Sequence, residues 1–241
     1  MAPALASSLR LALVIGAFAA GALAWASGLL PGILRWQEDI VYLAGQHLQL
    51  MAISGALAIL VGVPIGVLLT RERFRGAADA ITQVVSLGTT IPTLALLALA
   101  MTVVGIGAPA AIVGLFVLTL LPVVLNTMAG LRMVPPHLVE AARGMGMTPW
   151  RTLVAVELPN ALFVIFAGIR TALTINVGTV PLAFLVGGGG LGELIFTGID
   201  LMDPSMLLAG AIPTALLAVC VDLAVGQAQL WLVPRGVNPL R

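Results

Sequence analysis

Lysine is absent from this 241-residue chain, whose 11 basic side chains are all arginine. A Walker A loop needs a lysine on the β- and γ-phosphates. The chain therefore builds no such ATP site, and any use of ATP falls to another subunit. The single cysteine, Cys220, excludes an internal disulfide, and within an apolar run it reads as a packing residue. The two histidines, His47 and His137, stand far apart in the chain with no cysteine or further histidine beside either. A zinc site is not expected from them, and ordinary polar-edge roles are. No G-x-S-x-G and no paired carboxylates on one helix face are present, so nothing points to a hydrolase. Charge itself is scarce. Only 9% of residues are charged, against about 25% in soluble domains. The net charge of +1 leaves no basic cluster free for nucleic acid.

Apolar sequence fills the space. Sixty per cent of the residues are hydrophobic and the mean hydropathy is +1.13. The runs 11–34, 40–70, 81–131, 158–192 and 204–234 are each long enough to cross a bilayer, which takes about 20 helical residues. The third would reach roughly 75 Å as one helix, so it must break, and Gly105-Ile-Gly-Ala-Pro109 is the natural place. The runs are continuously apolar rather than alternating, which argues against a barrel. The expectation is an all-α polytopic membrane protein of about six transmembrane helices.

Arginine placement orients them. With the N-terminus inside, the inner loops hold Arg10, then Arg71, Arg73 and Arg75, then Arg132, Arg143 and Arg151, then Arg235 and Arg241. The outer loops hold only Arg35, beside Glu38 and Asp39, and the acids Glu193, Asp200 and Asp203. The positive-inside rule puts both termini in the cytoplasm. Arg10, the apolar stretch after it and Ala24-Trp-Ala26 imitate a cleavable secretory signal. The run continues to Leu34, beyond a typical signal core, so an uncleaved first span is expected.

One segment breaks the pattern. Residues 140–159 carry four charges, two glycines and two prolines between two apolar runs. Pro135-Pro136 suits the first turn of a new helix, and Glu140 in its early turns complements the helix dipole. Val139-Glu-Ala-Ala-Arg143 reads as a short helix with small residues on one side, loosened by Gly144 and Gly146. Pro149 starts a second turn, and Pro159 opens the next span. Small residues permit close approach by another protein surface, with Glu140, Arg143 and Arg151 as polar handles. A solvated loop helix without a partner is the plain alternative.

The spacing of these residues resembles the cytoplasmic signature of ABC importer permeases: E-A-A, three residues, G, nine residues, I, one residue, L-P. Here it reads Glu140-Ala141-Ala142, Gly146, Val156 and Leu158-Pro159, with valine for isoleucine the one departure. Further stretches resemble the osmoprotectant branch of that family. They are His47-Leu48, Gly62-Val-Pro-Ile-Gly66, Thr70-Arg71, Ile91-Pro-Thr-Leu-Ala95, Leu121-Pro-Val-Val-Leu-Asn126, Ala167 to Thr179, and Gly188 to Gly192.

The resemblance covers most of the chain, from about residue 45 to residue 226. It implies a type I ABC importer permease fold over 39–234, after an N-terminal helix and outer loop (1–38) and before a short tail (235–241). It implies a coupling helix at about 138–150, with Glu140, Ala141, Ala142, Arg143, Gly144, Gly146, Leu158 and Pro159 facing or framing an ATPase. It also implies two ATPase subunits that use ATP and magnesium, a second permease chain, an external solute-binding protein, and a bacterial cytoplasmic membrane. The solute class would be glycine betaine, choline, carnitine or a related quaternary amine. Permeases for methionine or sulfonates share the signature and remain an alternative.

Polar groups inside the spans are candidates for the translocation path: Thr89, Pro92, Asn126, Thr174, Asn176 and Thr179, with Ser86 and Thr90 nearby. Hydroxyls and amides also simply join membrane helices, at about 0.6–2 kcal/mol each. Quaternary amines are held by aromatic cages. With 4 Trp, 1 Tyr and 7 Phe, and Trp36, Trp150 and Trp231 near span ends, tight recognition is expected outside this chain. Gly187, Gly189 and Gly192 match G-x-G-x-x-G, but outside a βαβ unit the motif reads as a flexible break between helices. An ion-coupled carrier, the rival class, would show intramembrane ionisable residues. Only Arg170 and Asp222 qualify. Their distances from the span ends, about 16 and 13 Å, put them at similar depth, where an ion pair would relieve the cost of each charge.

Overall fold

The computed structural model describes residues 28–74 and 91–237, together with Gly76 and Gln83. Among the described residues all regular structure is helical. A short helix α1 (Leu29–Leu34) turns at Trp36 into α2 (Gln37–Leu69), followed by a 3-10 turn, Glu72–Phe74. Next come α3 (Thr93–Val104) and α4 (Ala108–Arg132), then two short helices, α5 (Pro136–Gly144) and α6 (Pro149–Thr152). A π turn (Leu153–Glu157) joins α6 to α7 (Leu158–Thr179), which tightens into a 3-10 stretch, Val180–Val186. The chain ends with α8 (Gly192–Asp200) and α9 (Pro204–Leu232).

Four of these stretches are long and apolar enough to cross a membrane: Gln37–Leu69, Ala108–Arg132, Pro149–Val186 and Pro204–Leu232. The other two expected spans are only partly in view. Most of run 11–34 lies outside the described residues, as do most residues ahead of α3. The described part of the third span is α3, whose 12 residues reach only about 18 Å. The break at 105–109 falls where glycine and proline put it, with α3 ending at Val104 and Pro109 in the first turn of α4.

The fifth expected span, run 158–192, departs from expectation at both ends. Its helix starts at Pro149 rather than at Leu158 and stops at Thr179, well short of Gly192. The early start follows from Pro159. Proline has no N–H for the i−4 carbonyl, and the helix widens ahead of it so that Leu158 N–H reaches Leu153 O, five residues back. The glycine run is also no loose break. Gly188 N–H bonds Ala183 O, Gly190 N–H bonds the Gln46 amide oxygen, and Gly107 N–H bonds Val186 O.

Packing is densest where α4 lies between α2 and α7. Close approach there depends on small residues, as it does between membrane helices generally. A Cβ at Gly66 would sit 2.5 Å from the Thr127 Cβ, and one at Gly168 would sit 2.2 Å from the Asn126 Cβ. Around these contacts Val123, Leu131, Leu153, Ala161, Ile165 and Ala172 form one buried cluster. A second, built from Leu43, Leu191, Leu194, Met206 and Ala209, ties α8 and α9 to the start of α2. In α9 many apolar side chains stay uncovered, among them Leu216, Val219 and Leu223. Cys220 is exposed on the same helix, so it does not pack within the chain as its sequence setting suggested.

Candidate coupling segment and embedded polar groups

The charged segment 138–150 divides into two helices at Gly146. Helix α5 rests on the bundle through half-buried Val139 and buried Ala142, three residues apart and thus on one face. Glu140, Ala141, Arg143 and Gly144 are exposed on the other side. The two alanines of the motif therefore differ. Ala142 is 1% exposed and must be small to seat the helix, whereas Ala141 leaves the outer surface low.

Gly146 ends α5 in the left-handed region at φ 78°. Its N–H bonds Arg143 O at 2.9 Å, and Met147 N–H bonds Ala142 O at 3.1 Å. This pair of bonds is a Schellman cap, and its left-handed position is the one a residue with a Cβ resists. Nothing lies within 4 Å of a Cβ there, so conformation rather than space selects glycine. Thr148 then caps α6 by accepting from Arg151 N–H, and Pro149 occupies its first turn. Trp150, 73% exposed, stands next to this cap. Leu158 and Pro159, half-buried, complete the motif at the foot of α7, where Leu158 packs on the α4–α7 core.

A side-chain contact absent from the sequence reading anchors this region. Arg71, just past α2, donates through Nη2 to Glu157 Oε2 at 2.5 Å. Thr70 Oγ1 accepts from the same guanidinium at 3.0 Å and fixes its direction. The clue in the sequence was Glu157 itself, the charged residue between Val156 and Leu158.

Within the spans, Arg170 and Asp222 meet as a bidentate pair between α7 and α9. Nε reaches Oδ1 at 2.6 Å and Nη2 reaches Oδ2 at 2.5 Å. Both side chains remain about a third exposed. Thr174, one turn along α7, lies on the same side of that helix.

Asn176 lies elsewhere. It is 1% exposed, on the face of α7 that also buries Ala161, Ile165, Gly168 and Ala172, and its amide donates to Ser54 and Thr119. It joins α2, α4 and α7 within one chain. Asn176→Ala should lower the thermal stability of the purified protein by about 1 kcal/mol, with transport nearly unchanged. A melting curve in detergent alongside an uptake assay checks both parts.

His47 likewise corrects its expected polar-edge role. It is fully buried, and its Nε2–H donates to Val177 O at 3.1 Å. Asn126 is half-buried and bonds Pro122 O, Thr179 bonds backbone carbonyls at the end of α7, and Pro92 is exposed ahead of α3. Thr89 lies outside the described residues. The open face of α7 instead carries Thr171, Ile175 and Gly178, opposite the small buried residues. The four-residue spacing from Thr171 to Ile175, out of phase with the buried stripe, could have exposed that face.

The bundle is one that solved ABC importer permeases share. An inward-facing structure of the MetNI methionine ABC transporter superposes with a TM-score of 0.72 at 26% identity, over 81% of this chain and 96% of that one. An amino acid ABC transporter crystallised with histidines has the same fold, with a TM-score of 0.65 at 18% identity, over 82% of this chain and 94% of that one.

The sequence comparison is more specific. The chain belongs to the family described as binding-protein-dependent transport system inner membrane component, whose pattern matches residues 62–235. Among its relatives is the osmoprotectant import permease protein OsmY of Salmonella typhimurium, 53% identical over 77% of this chain and 79% of that protein. The carnitine transport permease protein OpuCB of Listeria monocytogenes is 42% identical over 81% and 89%. The choline transport system permease protein OpuBB of Bacillus subtilis is 39% identical over 84% and 93%. This chain is a multi-pass permease subunit of an ABC importer.

Proposed function

We propose that this permease imports a quaternary-amine compatible solute such as glycine betaine, choline or carnitine across a bacterial cytoplasmic membrane. The solute class rests on the relatives, named for osmoprotectant, carnitine and choline transport, at 39–53% identity. The ATP-driven mechanism rests on one observation above all. A capped helix seated on the bundle by Val139 and Ala142 turns Glu140, Ala141 and Arg143 outward.

One of two ATPase subunits, using ATP and magnesium, docks on that helix and its neighbour α6, and the other docks on the second permease chain. ATP shifts the permease between two states only through contacts that differ between them. The described arginines beside it fit this assignment. Arg71, Arg73, Arg132, Arg143 and Arg151 lie at one end of the bundle, and Arg35 alone lies at the other among five acids, Glu38, Asp39, Glu193, Asp200 and Asp203. By the positive-inside rule the arginine-rich end is cytoplasmic. An external binding protein delivers solute to the acidic end.

A second permease chain completes the path. The uncovered apolar face of α9 and the open face of α7 suit contact with another chain or with lipid. Thr171, Thr174, Thr179, Asn126 and Pro92 line the path in this reading, and Asn176 stiffens the wall behind it. A cysteine at Pro92 in a Cys220→Ser background should cross-link two permease chains, and full activity of a complex holding a single permease chain would refute the pairing. Co-purification with an ATPase subunit, lost when the α5 surface is altered by Ala141→Arg, tests the docking. Retention of the ATPase by that variant would remove α5 as the dock.

A further inference from the structure

The ATPase-facing segment is fastened to a second span through one ion pair. Glu157 ends the π turn between α6 and α7, and its carboxylate meets Arg71 at the end of α2, 86 positions away. Its side chain is 12% exposed and that of Arg71 is 32% exposed, so this is not a freely solvated surface pair of the kind that contributes little. Arg71 is held in place from its own helix by the Thr70 hydroxyl and the Val67 carbonyl. The pair borders a cleft of about 390 Å³ whose other walls include Arg143 and Pro149 from the α5–α6 segment and Leu131 and Arg132 from the end of α4. Three span ends and the docking segment thus converge on one contact.

The π turn makes that convergence consequential. It holds one residue more than an α-helical turn, and such turns are local soft points found at functional positions. Left alone, this joint would absorb a displacement of α5 and α6 before it reached the membrane. A bond from the last residue of the joint to α2 prevents that. We propose that Arg71 and Glu157 are positioning residues of the transport cycle. Their ion pair carries movement of the ATPase-contacting segment into α2, so that α2 and α7 move together.

The proposal rests on the importer reading above, and the experiment separates the two. Complexes of permease, ATPase and binding protein are reconstituted in vesicles, with ATP hydrolysis and radiolabelled glycine betaine uptake measured together. Arg71→Gln and Glu157→Gln should each raise ATP consumed per solute by at least about fivefold, the lower edge of usual coupling energies. The charge-reversed pair Arg71→Glu with Glu157→Arg should return the ratio to within about twofold of the unaltered complex, as a direct interaction requires. If single variants do not assemble, Arg71→Lys is measured instead. It keeps the charge without the guanidinium fork, and a raised ratio supports the tie.

Uptake and hydrolysis falling in parallel, a ratio that stays unchanged, or no recovery in the reversed pair overturns the proposal. A second readout needs no transported solute. Nitroxides at Met202→Cys in the Cys220→Ser background, on the exposed turn before α9, report ATP-driven changes in the distance between chains. Hydrolysis without that change in the single variants supports the tie, and a normal change overturns it. Failure of the unaltered complex to take up glycine betaine while its labels still move counts against the solute assignment alone.

Discussion

Valine at position 146 is expected to cut solute uptake at least about tenfold while the protein still reaches the membrane and ATP hydrolysis continues. The Schellman cap needs φ 78° at this residue, and a left-handed residue with a Cβ is disfavoured by about 1–2 kcal/mol, more for a β-branched one. No neighbour lies within 4 Å of the added Cβ, so the bundle itself is undisturbed. What changes is the direction in which the chain leaves α5, and with it the placement of Thr148, Trp150 and Arg151 relative to Glu140 and Arg143. Alanine at the same position lacks the branched methyls and should give a smaller loss in the same direction. Vesicle uptake beside ATPase rate checks both variants. Unchanged transport in the valine variant would show that the geometry of the α5–α6 turn is irrelevant to coupling.

The second large effect concerns the pair inside the membrane. Asp222→Asn leaves Arg170 as an uncompensated cation between α7 and α9 and should sharply reduce the amount of folded protein in the membrane. Arg170→Gln combined with Asp222→Asn removes both charges and should restore much of that amount. The bidentate geometry at 2.6 and 2.5 Å is the reason to expect this order, since breaking such a pair costs more than deleting it. Quantitative blots of membrane fractions read the outcome directly. A double variant no more abundant than the single one would mean that the pair does not stabilise the fold. Normal abundance with lost uptake in the double variant would instead give Arg170 a role along the path.

Much of this architecture was legible because bilayer chemistry writes long apolar runs, and because glycine and proline mark their ends. The 105–109 break and the helix opening at Pro136 follow from local backbone rules, whereas Gly146, which looked like a loosening of the helix, closes it with a cap. The similar depths of Arg170 and Asp222 followed from helical rise alone. Failures came where tertiary packing decides. Pro159 looked like a helix start, but a π turn carries the helix across it from Pro149. Asn176 and His47 looked like pathway or edge groups, yet α2, α4 and α7 enclose them, which no one-dimensional pattern states. The Arg71–Glu157 contact spans 86 positions and has no local signature. Cys220 sits in an apolar run, and only the placement of α9 at the rim exposes it.

Uptake by the complete complex bears most directly on what this permease does. Vesicles holding the permease, its ATPase and its binding protein should accumulate labelled glycine betaine, choline or carnitine only with ATP and magnesium inside the compartment facing α5. A collapsed ion gradient should make no difference. Accumulation driven by a sodium or proton gradient without ATP, or ATP-dependent uptake of methionine with none of the quaternary amines, would contradict the account.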